Sequence, residues 1–167
     1  IEQNERAMDI LNELHIHMWG AFIVDPAFTK EDFRELKEYR ERKGVIYPQF
    51  TILTPLHGTE RFDRLAPRLA GQPWHAYDMH HLLWEPRLGA RRFFELYAET
   101  WRRSILNASG DKTWLDWVRQ VRPTMVPYLL RVLWRTQRMM KSEAYLGEYQ
   151  ATNRTCPWSS SSAGVGS

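Results

Sequence analysis

At 167 residues the chain is long enough for one domain with a sizeable core, and its 43% hydrophobic and 26% charged residues are those of a globular protein. A single cysteine, Cys156, excludes a disulfide framework and a thiolate cluster, and points to a reducing, cytoplasmic setting. No apolar run reaches the roughly 18 residues needed to span a bilayer.

The net charge of +3 is unevenly spread. Residues 1–84 carry 10 Lys/Arg against 13 Asp/Glu, whereas residues 85–150 carry 12 against 7. A basic second half suits anionic lipid, nucleic acid, an acidic neighbouring domain, or simply a solvated face. The chain opens at Ile1 without a signal-peptide pattern, which predicts a piece of a longer polypeptide.

Residues 2–15 predict an amphipathic helix with Ala7, Ile10, Leu11 and Leu14 on one face. His15 and His17 flank Ile16; on a strand they would share one side as a metal pair, and at a junction they would face solvent. Residues 18–24 form an almost unbroken apolar run, which suits a parallel strand covered on both faces and stopped by Pro26. Thr29 with Asp32 reads as a capping box, Phe28 with Phe33 as the staple around it, and Gly44 as the helix stop. Residues 50–54 return as a second strand. Two buried parallel strands joined by a helix gather ligands at their carboxyl ends, here Asp25-Pro26 and residues 54–59.

Residues 60–65 predict a short helix ended by Pro67, and residues 70–73 a linker. Residues 74–81, Trp-His-Ala-Tyr-Asp-Met-His-His, hold three of the six histidines. They are either a metal site, with Asp78 orienting one ring, or a polar strip over the open end of the sheet. The spacing matches no zinc signature, so no metal ligand is assigned. Residues 88–106 and 113–141 predict two further helices. The first carries Phe93, Phe94, Tyr97, Trp101 and Ile105, and the second a Trp/Met stripe from Trp114 to Met140, with Pro123 and Pro127 dividing it. Arginines flank both stripes, whose alternatives are core packing and a lipid surface. The Ser-rich stretch from Ala151 predicts a disordered tail. The three expected units are therefore residues 1–70, 71–150 and 151–167.

Two segments also carry a resemblance. Phe-Ile-Val-Asp-Pro-Ala-Phe-Thr-Lys-Glu-Asp-Phe from Phe22, followed by Gln-Phe-Thr-Ile-Leu-Thr-Pro-Leu-His-Gly-Thr-Glu from Gln49, resembles the last two strands of a radical S-adenosylmethionine (SAM) barrel. It is most similar to the cobalamin-binding, hopanoid C-3 methylase type. His57 stands where that family has a second proline, and the family's three-cysteine motif is missing. The resemblance implies an α/β fold: the C-terminal βαβ portion of a partial radical SAM (TIM-like) barrel, followed by an α-helical extension.

The resemblance further implies a SAM site to which Ile23, Leu53, Thr54 and Pro55 contribute the adenine side; the other reading makes Ile23 and Leu53 plain barrel core. A 4Fe–4S cluster and a cobalamin are implied in an N-terminal part of the same polypeptide, the chain's expected partner. The implied reaction is methyl transfer to a small-molecule or lipid-like polycyclic substrate, without nucleic acid. The alternative is a non-catalytic basic helical module for interaction with another protein or for docking on a membrane.

Overall fold

The computed structural model describes residues 2–16, 18–45, 47–106, 123–137 and 141–155. In chain order the elements are helix α1 (Glu2–Glu13), strand β1 (Trp19–Val24), helix α2 (Lys30–Arg42), strand β2 (Tyr47–Ile52), helix α3 (Glu60–Leu69) and a 3-10 turn (Trp74–Ala76). Helix α4 (Ala90–Leu106), a second 3-10 turn (Pro123–Met125), helix α5 (Val126–Thr136) and helix α6 (Ser142–Thr155) follow.

β1 and β2 pair in parallel, with Trp19 opposite Tyr47 and Val24 opposite Ile52. Among the described residues this is a two-stranded sheet, so the βαβ portion is present but no barrel is formed by it. Gly20 permits the close approach of the chain after α2: a Cβ there would stand 2.7 Å from Val45 Cγ1.

The crossover helix is locally determined at both ends. Asp32 N donates to Thr29 Oγ1 at 3.2 Å, and Thr29 N donates to Asp32 Oδ2 at 2.6 Å. Two of the orphan N-terminal donors are thereby satisfied, a cap that contributes about 1 kcal/mol. The Phe28 and Phe33 rings meet edge-on at 5.6 Å and close the staple. At the other end Gly44 takes φ +61°, Gly44 N donates to Glu41 O and Val45 N to Arg40 O. These are the two bonds of a Schellman stop, which needs a residue in the left-handed region.

One sheet face is covered. Val24, Phe50 and Ile52 are buried with Phe33 of α2, Phe93, Phe94, Leu96 and Tyr97 of α4 and Tyr149 of α6. Phe50 stacks on Phe22 at 5.6 Å and meets Trp101 edge-on at 5.2 Å. The predicted boundary at residue 70 therefore does not separate the packing: α4 belongs to the same core as the strands. Lys37 on α2 and Glu99 on α4 add an ion pair at 3.0 Å, and Lys37 holds the Glu99 carboxyl below its usual value.

The opposite face differs from the expectation of two covered faces. Its β1 residues Trp19 and Ile23 are 77% and 62% exposed, and Ala21 between them is exposed too. A continuous apolar run cannot by itself say how many layers cover it.

Other boundaries also moved. β2 starts at Tyr47 rather than Phe50, because Pro48 lies near the strand's beginning, where a missing donor is tolerated. α3 continues through Pro67 to Leu69, since the proline falls in its last turn. His15 does not extend into a strand. It closes α1 in an exposed turn with φ +55°, while Ile16 N donates to Leu11 O; His17 lies outside the described residues. The stretch expected as tail from Ala151 is helical to Thr155, with Thr152 buried. Of the Trp/Met stripe, residues 113–122 and 138–140 lie outside the described residues, as do residues 156–167.

Candidate functional site

The carboxyl ends of the two strands lie side by side. Ile23 pairs with Thr51, and Leu53 N donates to Val24 O at 2.9 Å just beyond the last pair. Alternation along a strand places Ile23, Thr51 and Leu53 on the open face. Leu53 and Thr54 are half-buried and Pro55 is buried. The Thr54 hydroxyl donates to Ile52 O at 3.1 Å, which fixes the strand end. Of the four residues singled out from the resemblance, Ile23 and Leu53 share one surface, while Pro55 is buried in the loop that follows. Ile23 is 62% exposed here, with no described residue packed over it as a core.

Asp25 follows β1. Its carboxylate accepts from Ala27 N at 2.8 Å and pairs with Arg61 of α3 at 3.1 Å, tying the end of β1 to the helix after β2. Thr59 caps that helix: its Oγ1 accepts from Phe62 N at 3.2 Å and donates to Leu56 O at 2.7 Å.

The loop after β2 carries His57, and around it stand three rings from elsewhere. Phe62 lies at 4.0 Å, Trp74 at 4.4 Å and Tyr77 at 4.9 Å between centroids. A cavity of about 230 Å³ opens against this cluster, lined also by Leu69 and Gln72. Burial pushes the Tyr77 phenol up. Sequence reasoning missed this cluster, because its rings come from three separate segments without a common period. The one available signal was His57 in the place of a proline.

Residues 74–81 lie beside the outer edge of β2, where Ile52 N donates to Met79 O at 2.7 Å. Asp78 accepts from His80 N, His81 N and His81 Nδ1, the last at 2.9 Å. Burial pushes the Asp78 carboxyl up, but these hydrogen bonds outweigh it and hold it below its ordinary value. The His75 and His81 rings meet edge-on at 6.3 Å. Asp78 organises the segment as a turn, and among the described residues no three metal-ligating side chains gather.

No family model matches the chain, and no solved structure matches it. It is similar to two curated proteins of Chlorobaculum tepidum. One is bacteriochlorophyllide d C-12(1)-methyltransferase, 26% identical over 118 residues that make up 65% of this chain and 26% of that protein. The other is bacteriochlorophyllide d C-8(2)-methyltransferase, 26% identical over 115 residues, 63% of this chain and 26% of that protein. The chain is thus related in sequence to methyltransferases, and spans about a quarter of their length.

Proposed function

We propose that the chain forms the last two strands and the following helices of a radical SAM methyltransferase of the cobalamin-binding type, which transfers a methyl group to a large polycyclic substrate. One observation carries the reading most. Two parallel strands present an open apolar surface, Ile23 beside Leu53, where their carboxyl ends meet, and the relatives in sequence are methyltransferases. A resemblance of fold alone would not carry a function. The relatives are named for a bacteriochlorophyllide, and the family resemblance points to a hopanoid-type lipid. Both are large polycycles, and the proposal stops at that class.

The residues fit the adenine of SAM, a flat ring that needs apolar walls and a few backbone polar groups. Ile23 and Leu53 would form the wall, with the 53–55 backbone at its rim. SAM supplies the methyl group and, on reduction, the radical chemistry of this family. The residues do not fit a 4Fe–4S cluster, which needs three cysteines in this family, since the sequence has one. In this reading the cluster and the cobalamin are held by another part of the polypeptide.

Ile23→Asp and Leu53→Asp in the full-length protein are expected to weaken SAM binding by about tenfold or more, because an unpaired carboxylate would be desolvated against the adenine. Far-UV circular dichroism of each variant shows that it is folded before the titration is read. Calorimetric titration with unchanged SAM affinity in both variants would remove these residues from the site.

A peripheral lipid contact is the second reading, and α5 favours it. Tyr128, Leu130 and Trp134 are exposed there beside Arg131 and Arg135, although no helix among the described residues is long and apolar enough to cross a membrane. Vesicle co-sedimentation should rise with anionic lipid content and fall with salt, each basic residue near the surface contributing about 1 kcal/mol. Equal binding to neutral and anionic vesicles would count against it.

A further inference from the structure

We propose that His81, backed by Asp78, is the axial ligand for the metal of a metallated tetrapyrrole, a flat macrocycle bound as the large polycyclic substrate. Its standing as substrate rests on the methyltransferase reading; the binding itself does not. SAM titration of the Ile23 and Leu53 variants and titration with a macrocycle read different ligands, so either reading can fail alone.

Asp78 fixes the imidazole. Its carboxylate accepts from His80 N at 2.8 Å and from His81 N at 3.0 Å, and its two oxygens stand 2.9 and 3.0 Å from His81 Nδ1. A carboxylate only accepts, so the neutral ring keeps its proton on Nδ1 and its lone pair on Nε2. Nε2 makes no hydrogen bond among the described residues, and 21% of the side chain is exposed. Met79 O accepts from Ile52 N at 2.7 Å, which ties the turn to the edge of β2 one residue before Leu53. A ring N–H given to a carboxylate is the arrangement that orients metal-ligating histidines and raises their basicity.

The rest of the segment narrows the ligand. No three metal-ligating side chains gather among the described residues, whereas a bare ion such as zinc takes three or four from the protein. A metal already held by the nitrogens of a macrocycle needs only an axial ligand, and one histidine supplies it, as in haem proteins. Trp74 and Met79, on the same segment, are 77% and 43% exposed. An indole and a thioether both pack well on a flat aromatic system. A hopanoid-type polycycle carries no metal and gives Nε2 nothing to bind.

Absorbance titration of the full-length protein with zinc mesoporphyrin IX and with metal-free mesoporphyrin IX tests this, because the two share a ring and differ in the metal. The zinc porphyrin should bind saturably with a red-shifted Soret band, the signature of an axial nitrogen ligand. It should also bind about tenfold more tightly than the metal-free ring. His81→Phe should abolish the red shift and the difference between the probes, whereas His80→Ala should leave both in place. Asp78→Asn, which keeps an acceptor oxygen for the turn, should weaken zinc-porphyrin binding by about tenfold or more, the usual effect of losing the carboxylate behind a metal-bound histidine. No red shift with the wild-type protein, equal affinities for the two probes, or unchanged zinc-porphyrin affinity in either His81→Phe or Asp78→Asn would each overturn the proposal.

Discussion

Phe50→Ala is expected to cost about 3–5 kcal/mol of folding stability, the range for truncating a buried phenylalanine. Phe50 is fully buried and stands between Phe22 on its own sheet and Trp101 on α4. Few other elements can close the gap. The backbone at this position is already held, because the buried Tyr97 hydroxyl donates to Phe50 O at 2.8 Å. That bond fixes α4 over the strand and resists collapse into the void. Burial pushes the Tyr97 phenol up to about 12, so the hydroxyl stays protonated and able to donate across the physiological range. Against a total stability of about 5–15 kcal/mol, such a loss should lower the urea midpoint by about 1–3 M. Far-UV circular dichroism in urea reads this at chain concentrations where dilution does not move the midpoint. Ile23→Ala, on the open face, should change stability by no more than about 0.5 kcal/mol. A loss at Phe50 as small as that at Ile23 would mean that α4 does not pack on this face.

What could be read in the sequence was what neighbouring residues decide among themselves. The crossover helix is the clearest case: Thr29, Asp32, Phe28, Phe33 and Gly44 fix its ends through contacts within a few residues, and each does in the structure what its spacing predicts. The parallel pairing was legible because both strands are short apolar runs joined by that helix. Tertiary partners were not. The stripe on α4 indicates a buried face but not that Tyr97 and Trp101 cover Phe50, so the helix was expected in a separate unit. The candidate surface was legible in part. Its residues stand in a recognisable order along the chain, yet the exposure of Ile23 depends on what lies opposite the sheet, which no local pattern contains. The ring cluster around His57 was the least legible, since Phe62, Trp74 and Tyr77 sit in a helix and a turn of different periods. Pro67 misled for a simple reason: near a helix's end a proline removes a hydrogen bond that the helix can do without.

The isolated chain is expected to self-associate through β1. In a parallel pair, successive residues aim their backbone groups alternately to the two sides. Leu53 N donates to Val24 O, so Val24 and, by alternation, Phe22 and Gly20 face β2, leaving Trp19, Ala21 and Ile23 on the outer edge. The two edges of the sheet differ. On β2 two of the outward groups are occupied, Phe50 O by the Tyr97 hydroxyl and Ile52 N by Met79 O. On β1 no strand pairs with the outer edge among the described residues. The same three residues also carry the open face, where Trp19 and Ile23 are largely exposed. An edge with free backbone groups beside exposed apolar side chains is a template for another chain. In the barrel reading proposed above, further strands would cover it. Sedimentation velocity of the isolated chain across the micromolar range should therefore give dimers or larger species. Ile23→Lys should shift the distribution toward monomer, since a lysine on an edge strand opposes pairing. Ala21→Pro should act in the same direction by removing an outward N–H at a position where a proline can be tolerated. A wild-type chain that remains monomeric throughout would mean that the edge is already covered from within the chain.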